Sequence, residues 1–173
     1  MLLVQSDAYR QQYGMNSVVL FPVNLYGPRD NFDLGTSHVI PAMIRKFWEA
    51  RRDGKTSVPL FGTGTPQRDF VYIGDIVETL PFFIEEYDSS DPVNISSGVA
   101  TRIRDLATMV AEFVGYKGEL YWDATKPDGQ LVKIFDTRRM KSLGTQCATS
   151  LSDGLRKTIR WFDENVRRQA VRL

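Results

Sequence analysis

The spacing of apolar residues predicts alternating strands and helices along this 173-residue chain. Val18–Phe21 is a short β-branched and aromatic run typical of a buried strand, and Val39–Trp48 has the apolar spacing of a helix. Between them, residues 22–41 form a polar segment that contains the only histidine, His38. In α/β proteins, ligands bind beyond the carboxyl ends of strands. The order of strand, polar segment and helix therefore predicts a site on residues 22–41.

The spacing typical of helices and the short apolar runs typical of strands predict further elements along the chain. Helices are predicted at 1–13, 38–50, 76–87, 101–115, 137–143 and 152–168, and strands at 18–21, 58–61, 68–73, 93–96 and 120–122. Pro59 predicts a sheet-edge position for its strand, because proline cannot donate a ladder hydrogen bond. Asp75 with Glu78 predicts a capping box, Thr101 a helix N-cap, and Gly14 the end of the first helix. No capping residue precedes helix 1–13, so the pattern predicts a chain that begins inside an element.

Composition narrows the classes of protein that the chain could represent. Its length suits one domain, or one domain and part of another. A net charge of +1 supplies no electrostatic reason to expect nucleic acid or an anionic membrane as a partner. No apolar run is long enough for a spanning helix, and Met1–Val4 is too short for a signal peptide, so we expect a cytoplasmic protein. Cys147 is the only cysteine, which excludes an internal disulfide and a multi-cysteine metal site, and we expect no metal.

Single residues carry little chemical information here. Gly62–Pro66 (GTGTP) lacks both the Gly-Lys-Ser/Thr of a phosphate loop and the third glycine of a dinucleotide loop, so a plain turn is favoured. An isolated His38 is more often structural, although imidazole is a common proton donor and acceptor in catalysis. Arg68 beside Asp69 would ordinarily be a surface pair. Cys147 is interpreted as an inert small side chain.

Six motifs, however, follow one another in a recognisable order. They are Pro22–Pro28 (PVNLYGP), Asp30–Phe32 (DNF), Ser37–Ala42 (SHVIPA), Gly62–Phe70 (GTGTPQRDF), Val114–Gly118 (VGYKG) and Lys126–Gly129 (KPDG). Together they resemble, nearly from end to end, the C-terminal half of the GDP-L-fucose synthases. This family belongs to the extended short-chain dehydrogenase/reductases, within the NAD-dependent epimerases/dehydratases. The pieces NLYGP and RDFVYIGD are also similar to sugar-nucleotide epimerases and dehydratases generally.

The resemblance implies an α/β fold and a two-step reaction. Residues 1–173 would be the C-terminal, substrate-binding portion of a Rossmann-type protein, with a few sheet strands and a small mixed α/β domain. The N-terminal dinucleotide-binding half would be absent. The implied reaction is the 3,5-epimerisation of GDP-4-keto-6-deoxy-mannose, followed by NADPH-dependent reduction of the C4 ketone to give GDP-L-fucose.

The resemblance also implies roles for individual residues. The nicotinamide of NADP(H) would be lined, largely through backbone groups, by Pro22, Val23, Asn24 and Leu25. His38 would lie beside the cofactor and act as the acid in epimerisation. The substrate would be bound by Lys46, Phe61, Arg68, Asp128 and Lys133. Of these, Lys46 stands where the family has an arginine and Phe61 where it has a tryptophan. Arg68 suits the role because a guanidinium can hold a diphosphate bidentately.

The family's Tyr-x-x-x-Lys pair would lie upstream of Met1, so we expect the isolated chain to be inactive.

Two alternatives remain open from the sequence. The chain could instead come from another NAD(P)-dependent nucleotide-sugar epimerase or dehydratase. It could also be a truncated, non-catalytic module that binds a sugar nucleotide or dimerises through helix 1–13. The expected partners are a GDP-sugar and either a second copy of the chain or the N-terminal half.

Overall fold

The computed structural model describes residues 1–168 and 170–173, which fold into alternating strands and helices. The helices are α1 Leu2–Tyr13, α2 Val39–Arg52, α3 Ile73–Glu85, α4 Ile103–Val114, α5 Arg138–Ser142 and α6 Leu151–Val166. The strands are β1 Leu20–Pro22, β2 Asn24–Tyr26, β3 Ser57–Phe61, β4 Gln67–Arg68, β5 Phe70–Tyr72, β6 Val93–Ile95, β7 Thr101–Arg102, β8 Glu119–Asp123 and β9 Val132–Lys133. The predicted α/β class is confirmed.

The strands pair mostly in parallel, over short lengths. β1 pairs with β6, β2 with β5, and β3 with β8, all in parallel. β4 lies between β7, which is antiparallel to it, and β9, which is parallel to it. Because the two strands of a parallel pair end at the same edge, the segment after β3 lies beside the segment after β8, and the segment after β4 lies beside the segment after β9.

The main core lies between α2, α4 and α6. Phe32, Phe47 and Phe162 are completely buried there, and the rings of Phe32 and Phe162 are 4.5 Å apart between centroids. Trp48 packs edge-on against Phe162. Full burial of one such side chain contributes roughly 1.5–3 kcal/mol. A smaller cluster joins α3 and α5 to β6 through Phe83, Tyr87, Val93, Ile95 and Met140.

The start of α3 differs from the prediction. The helix begins at Ile73 with Tyr72 as its N-cap, so the predicted capping box on Asp75 is wrong. The Asp75 carboxylate is buried in the first turn, where it accepts hydrogen bonds from the Thr149 hydroxyl at 2.6 Å and the Thr149 N–H at 3.2 Å. Because Asp75 is hydrogen-bonded to Thr149, its carboxylate does not cap its own helix. Local sequence does not reveal a partner that lies so far along the chain.

Three other boundaries also shift because of tertiary pairing. The prediction that Thr101 caps α4 is wrong. Thr101 lies in β7 and pairs with Arg68 of β4. The polar segment 22–41 is not wholly a loop, because it contains β2. The predicted strand 68–73 is divided at Asp69 into β4 and β5. The predicted helix end at Gly14 is confirmed, with a left-handed φ of 65° that glycine adopts without strain.

In the part of the chain that the structure describes, no helix combines the length and the apolar character needed to cross a membrane.

Candidate functional site

His38 lies at the N-cap of α2 with its side chain exposed. Asp30 is close enough for the positive charge of His38 to favour its ionised form, and the Asn31 N–H donates to its Oδ1 at 2.7 Å. Burial outweighs both effects and raises the pKa of the Asp30 carboxyl. Asp30 was not a predicted site residue, and only its place in the DNF motif could have indicated it. Asp30 and His38 are therefore two titratable groups that lie near each other at the start of α2.

Residues 22–25 run from the end of β1, through Val23, into the first two residues of β2. The Val23 N–H donates to the Ile95 carbonyl at 3.0 Å, and the Asn24 amide donates to the Asp69 carbonyl at 2.8 Å. Pro22 is exposed, and Leu25 is half-buried beside a cavity of about 200 Å³ that Asp30 also lines. The Asn24 amide is therefore occupied by a hydrogen bond within the protein, whereas Pro22 and Leu25 retain accessible apolar surface.

A second cavity, of about 260 Å³, lies between α2, β3 and the segment 34–37. Lys46 lines it from α2, and its ammonium group is 4.9 Å from the ring centroid of Phe61 on β3. The Lys126 ammonium is 6.0 Å from the same ring, which is 66% exposed. Burial lowers the pKa of Lys46. An accessible aromatic face flanked by two cations can stack on a planar ring and neutralise an attached anion.

Asp128 holds the loop that follows Phe61. One carboxylate oxygen accepts from the Thr63 N–H and the other from the Thr63 hydroxyl, each at 2.7 Å. These hydrogen bonds hold the pKa of Asp128 below its usual range. A Cβ at Gly62, whose φ is 76°, would overlap the Asp128 carboxylate, so this close approach requires glycine. Gly62–Pro66 is thus a rigidly held turn.

Arg68 and Lys133 are neighbours on adjacent strands, in register between β4 and β9. Nη1 of Arg68 donates to the Gln67 carbonyl at 2.8 Å, and the guanidinium lies beside Gly129. Lys133 is exposed. All the residues predicted to bind substrate therefore fall on α2 or on the two facing segments 61–68 and 126–133. His38 lies eight residues before Lys46 on α2, which is about 12 Å along a helix axis.

Asp69 is a positioning residue that the sequence analysis missed. Its side chain is completely buried, so the interpretation of Arg68 and Asp69 as a surface pair is wrong. Its carboxylate accepts hydrogen bonds from the Ser96 and Ser97 hydroxyls and, at 3.0 Å, from the Gly98 N–H. The Ser-Ser-Gly sequence after β6 was the available signal.

Cys147 is half-buried near Asp75 and Asp69. Burial, together with these two carboxylates, raises the pKa of its thiol to about 12. The thiolate is the reactive form of cysteine, so this side chain is chemically inert at neutral pH. Within residues 1–168 and 170–173, no group of three or more His, Cys, Asp or Glu side chains is placed to hold a metal ion.

Comparison with known sequences identifies relatives along most of the chain. The sequence model of the NAD dependent epimerase/dehydratase family matches residues 2–96. GDP-L-fucose synthase 1 of Arabidopsis thaliana is 44% identical over 160 residues, which cover 92% of this chain and 50% of the relative. GDP-L-fucose synthase of Escherichia coli (strain K12) is 39% identical over 168 residues, covering 92% and 52%. The chain spans about half the length of the curated relatives it matches.

Solved structures show the same relationship. A GDP-L-fucose synthetase from Naegleria fowleri superposes with a TM-score of 0.91 at 27% identity, covering 100% of this chain and 55% of that one. A second structure from the same organism, described as bound to NADP, also has a TM-score of 0.91 at 27% identity, covering 100% of this chain and 56% of that one. The UDP-glucose 4-epimerase of Thermotoga maritima reaches a TM-score of 0.83 at 26% identity, covering 95% and 51%.

Proposed function

The chain belongs to the NAD dependent epimerase/dehydratase family, and from this premise we propose that it is the substrate-binding portion of a GDP-sugar epimerase/reductase. In this proposal, residues 1–173 form one functional unit, and the complete enzyme converts GDP-4-keto-6-deoxy-mannose to GDP-L-fucose. The observation that carries the proposal is the contact of the Lys46 ammonium with the exposed ring of Phe61, next to the turn that Asp128 holds.

The cations suit a nucleoside diphosphate. Phe61 offers an exposed aromatic ring to the base or sugar, and the ammonium groups of Lys46 and Lys126 lie 4.9 and 6.0 Å from its centroid. Arg68 and Lys133 lie on paired strands beyond the turn, where a guanidinium fork can bind two phosphate oxygens at once. Both oxygens of Asp128 already accept from Thr63, so in this proposal Asp128 contributes by holding the turn in place.

His38 is the acid in the proposed epimerisation. The C4 ketone acidifies the neighbouring C3–H and C5–H bonds, so a base can remove a proton from one face of the sugar and an acid can return one to the other. In this step one C–H bond breaks and one forms at each centre, with no change in oxidation state. His38 is exposed at the N-cap of α2, where a substrate can reach its imidazole.

Pro22–Leu25 would hold the nicotinamide end of NADP(H). The accessible apolar surface of Pro22 and Leu25 fits a flat ring, and the hydrogen bond from the Asn24 amide to the Asp69 carbonyl fixes the start of β2. When bound, NADPH supplies the hydride for the C4 carbon. The NADP-bound Naegleria structure supports this part of the proposal. No Gly-x-Gly-x-x-Gly sequence occurs in this chain, so residues 22–25 would supply only one wall of the cofactor site.

The proposal includes a partner for α1. None of the α1 residues is buried, and Leu2, Val4 and Tyr13 are each at least half exposed. We therefore propose a homodimer, or association with the dinucleotide-binding half, through this helix. A cytoplasmic location remains part of the same proposal.

Isothermal titration of the chain with GDP tests substrate binding. We expect Arg68→Ala to weaken GDP binding about tenfold, which corresponds to about 1.4 kcal/mol. Arg138→Ala removes the same charge from α5, outside the site, and should leave the affinity unchanged. Unchanged affinity in Arg68→Ala would remove Arg68 from the site. Equal affinities for GDP and UDP would favour a nucleotide-sugar enzyme of different base specificity.

The catalytic role of His38 requires the two steps to be measured separately in the complete enzyme. We expect His38→Asn to slow epimerisation, followed as solvent-proton exchange at C3 and C5, far more than ketone reduction. An equal loss of both steps would indicate a structural role. The chain of residues 1–173 alone should bind GDP and show no NADPH oxidation, and measurable turnover would contradict its assignment as one part of the enzyme.

A further inference from the structure

A third cavity, of about 250 Å³, lies between α2, α4 and α6 and has no role in the proposed reaction. Its apolar wall is formed by Trp48, Phe113 and Ile159. Three arginines also line it: Arg51, Arg156 and Arg160. Its lining includes no residue of the segments 61–68 and 126–133 that carry the proposed sugar-nucleotide site. It combines an apolar floor with a strongly basic rim.

The only carboxylate that lines this cavity, among the described residues, already has partners. Asp163 Oδ1 accepts from the Trp48 indole N–H at 2.7 Å and lies 3.6 Å from an Arg51 nitrogen. Arg51 also donates to the Val114 carbonyl at 2.5 Å. The charges of Arg51 and Asp163 therefore compensate each other in the wall of the cavity.

Arg156 and Arg160 are left without an anion. They lie one turn apart on α6, so their side chains project from the same face. Neither forms a salt bridge or a side-chain hydrogen bond within residues 1–168 and 170–173. The guanidinium of Arg156 stacks on the ring of Phe113, 3.9 Å from its centroid, and this contact limits the freedom of the side chain. Stacking uses the face of the guanidinium and leaves its N–H edge available for an acceptor.

We propose that this cavity binds a small phosphate monoester, with the phosphate on Arg156 and Arg160 and an apolar or aromatic group against the wall formed by Trp48, Ile159 and the part of Phe113 that Arg156 leaves open. Two uncompensated guanidinium groups match the charge of a phosphate dianion, and each fork matches two phosphate oxygens. A monocarboxylate would satisfy only one of them. This inference is independent of the proposed function, because it uses different residues.

A titration with phenyl phosphate tests this site. Binding is measured from the chemical shifts of backbone amides and of the Trp48 indole N–H in two-dimensional NMR spectra. We expect saturable shifts at the Trp48 indole N–H and at residues 113, 156, 159 and 160. The double variant Arg156→Gln/Arg160→Gln should bind at least about tenfold more weakly. Arg138→Gln, which removes one exposed charge from α5, is the matched control and should bind as the wild type does.

A charge-preserving variant separates a built site from general attraction. Arg156→Lys retains the positive charge but loses the fork and the stacked plane, so we expect it to weaken binding several-fold. Benzoate should compete poorly with phenyl phosphate. The proposal is overturned if the wild type shows no saturable shift in this cavity, or if the folded double variant binds equally well. It is also overturned if Arg156→Lys has full affinity and benzoate binds as tightly, since only general attraction would then remain.

Discussion

The first and last helices of the chain were both predicted from apolar spacing, yet they differ in what they bury. The 16-residue helix α6 buries five residues in its central part, and these are Gly154, Leu155, Thr158, Ile159 and Phe162. The 12-residue helix α1 buries none of its own. Its fixed contacts are polar: Arg10 forms an ion pair with Asp88 at 2.6 Å, and the hydroxyls of Ser6 and Ser17 are 2.5 Å apart.

The difference teaches that periodicity identifies a face suited to burial but not the partner that buries it. Helix α6 meets α2 and α4 within the chain, whereas the apolar face of α1 borders an open cavity of about 540 Å³ beside Val18–Leu20. The α2–α4–α6 core should therefore determine the stability of the isolated chain. Helix α1 and the neighbouring β1 should determine its association with other polypeptides.

Phe162→Ala should have the largest effect on stability. The side chain is completely buried between α2 and α6, so its truncation should cost about 3–5 kcal/mol of unfolding free energy in a urea titration. Tyr13→Ala removes an aromatic ring of similar size that is 66% exposed on α1. The control should change the free energy by less than about 0.5 kcal/mol. Equal losses in the two variants would abolish the distinction between the two helices.

Asp69→Ala should be next in magnitude. It leaves the buried Ser96 hydroxyl and the half-buried Ser97 hydroxyl without their acceptor, whereas the exposed Gly98 N–H can still donate to Ser96 Oγ. One buried unsatisfied group costs about 1–3 kcal/mol. Exchange of the Gly98 amide hydrogen should accelerate more than exchange within α2, because the loss begins in the segment 96–98. A variant as stable as the wild type would show that water replaces the carboxylate at no cost.

The stabilising effect of Asp128 should depend on pH. Thr63 lowers the folded-state pKa of Asp128 below its ordinary 3.8, so the hydrogen bonds contribute stability above pH 3.8. That contribution is lost as the pH falls through the folded-state pKa. The stability difference between the wild type and Asp128→Asn should accordingly be present at neutral pH and shrink in acid. A difference that grows on acidification would contradict the assigned hydrogen bonds.

Val4→Ala should have the smallest effect. The side chain is 72% exposed on α1, so the unfolding free energy of the chain should change by less than about 0.5 kcal/mol. Ile44→Val removes one carbon atom fewer than Val4→Ala does, yet it lies on α2 where the side chain is completely buried, and it should cost about 0.5–1.5 kcal/mol. Any self-association seen by sedimentation should weaken in Val4→Ala alone. A large loss of stability in Val4→Ala would place α1 in the core.

The elements of regular spacing could be predicted from sequence, and the uses of polar residues could not. Apolar periodicity located α2, α4 and α6, and Gly14 indicated the end of α1 because only its own backbone geometry was required. Asp75 and Thr101 were misassigned as helix caps because their partners, Thr149 and Arg68, are distant in sequence.

The candidate site shows the same division. The polar segment around His38 was predicted from local pattern, as the connection between a strand and a helix. The proximity of Phe61, Lys46 and Asp128 was implied only by family resemblance, because no periodicity links residues on β3, α2 and a distant turn. Asp30 and Asp69 were missed since their significance depends on burial and on charges contributed by other segments.

The central claim is that the cations and the aromatic ring on α2, 61–68 and 126–133 form a sugar-nucleotide site. Titration of the ¹⁵N-labelled chain with GDP tests it most directly. We predict saturable shifts at Lys46 and in residues 61–65 and 126–133, with little change in α1. Absence of saturable shifts, or shifts confined to the arginine-lined cavity between α2, α4 and α6, would contradict the account.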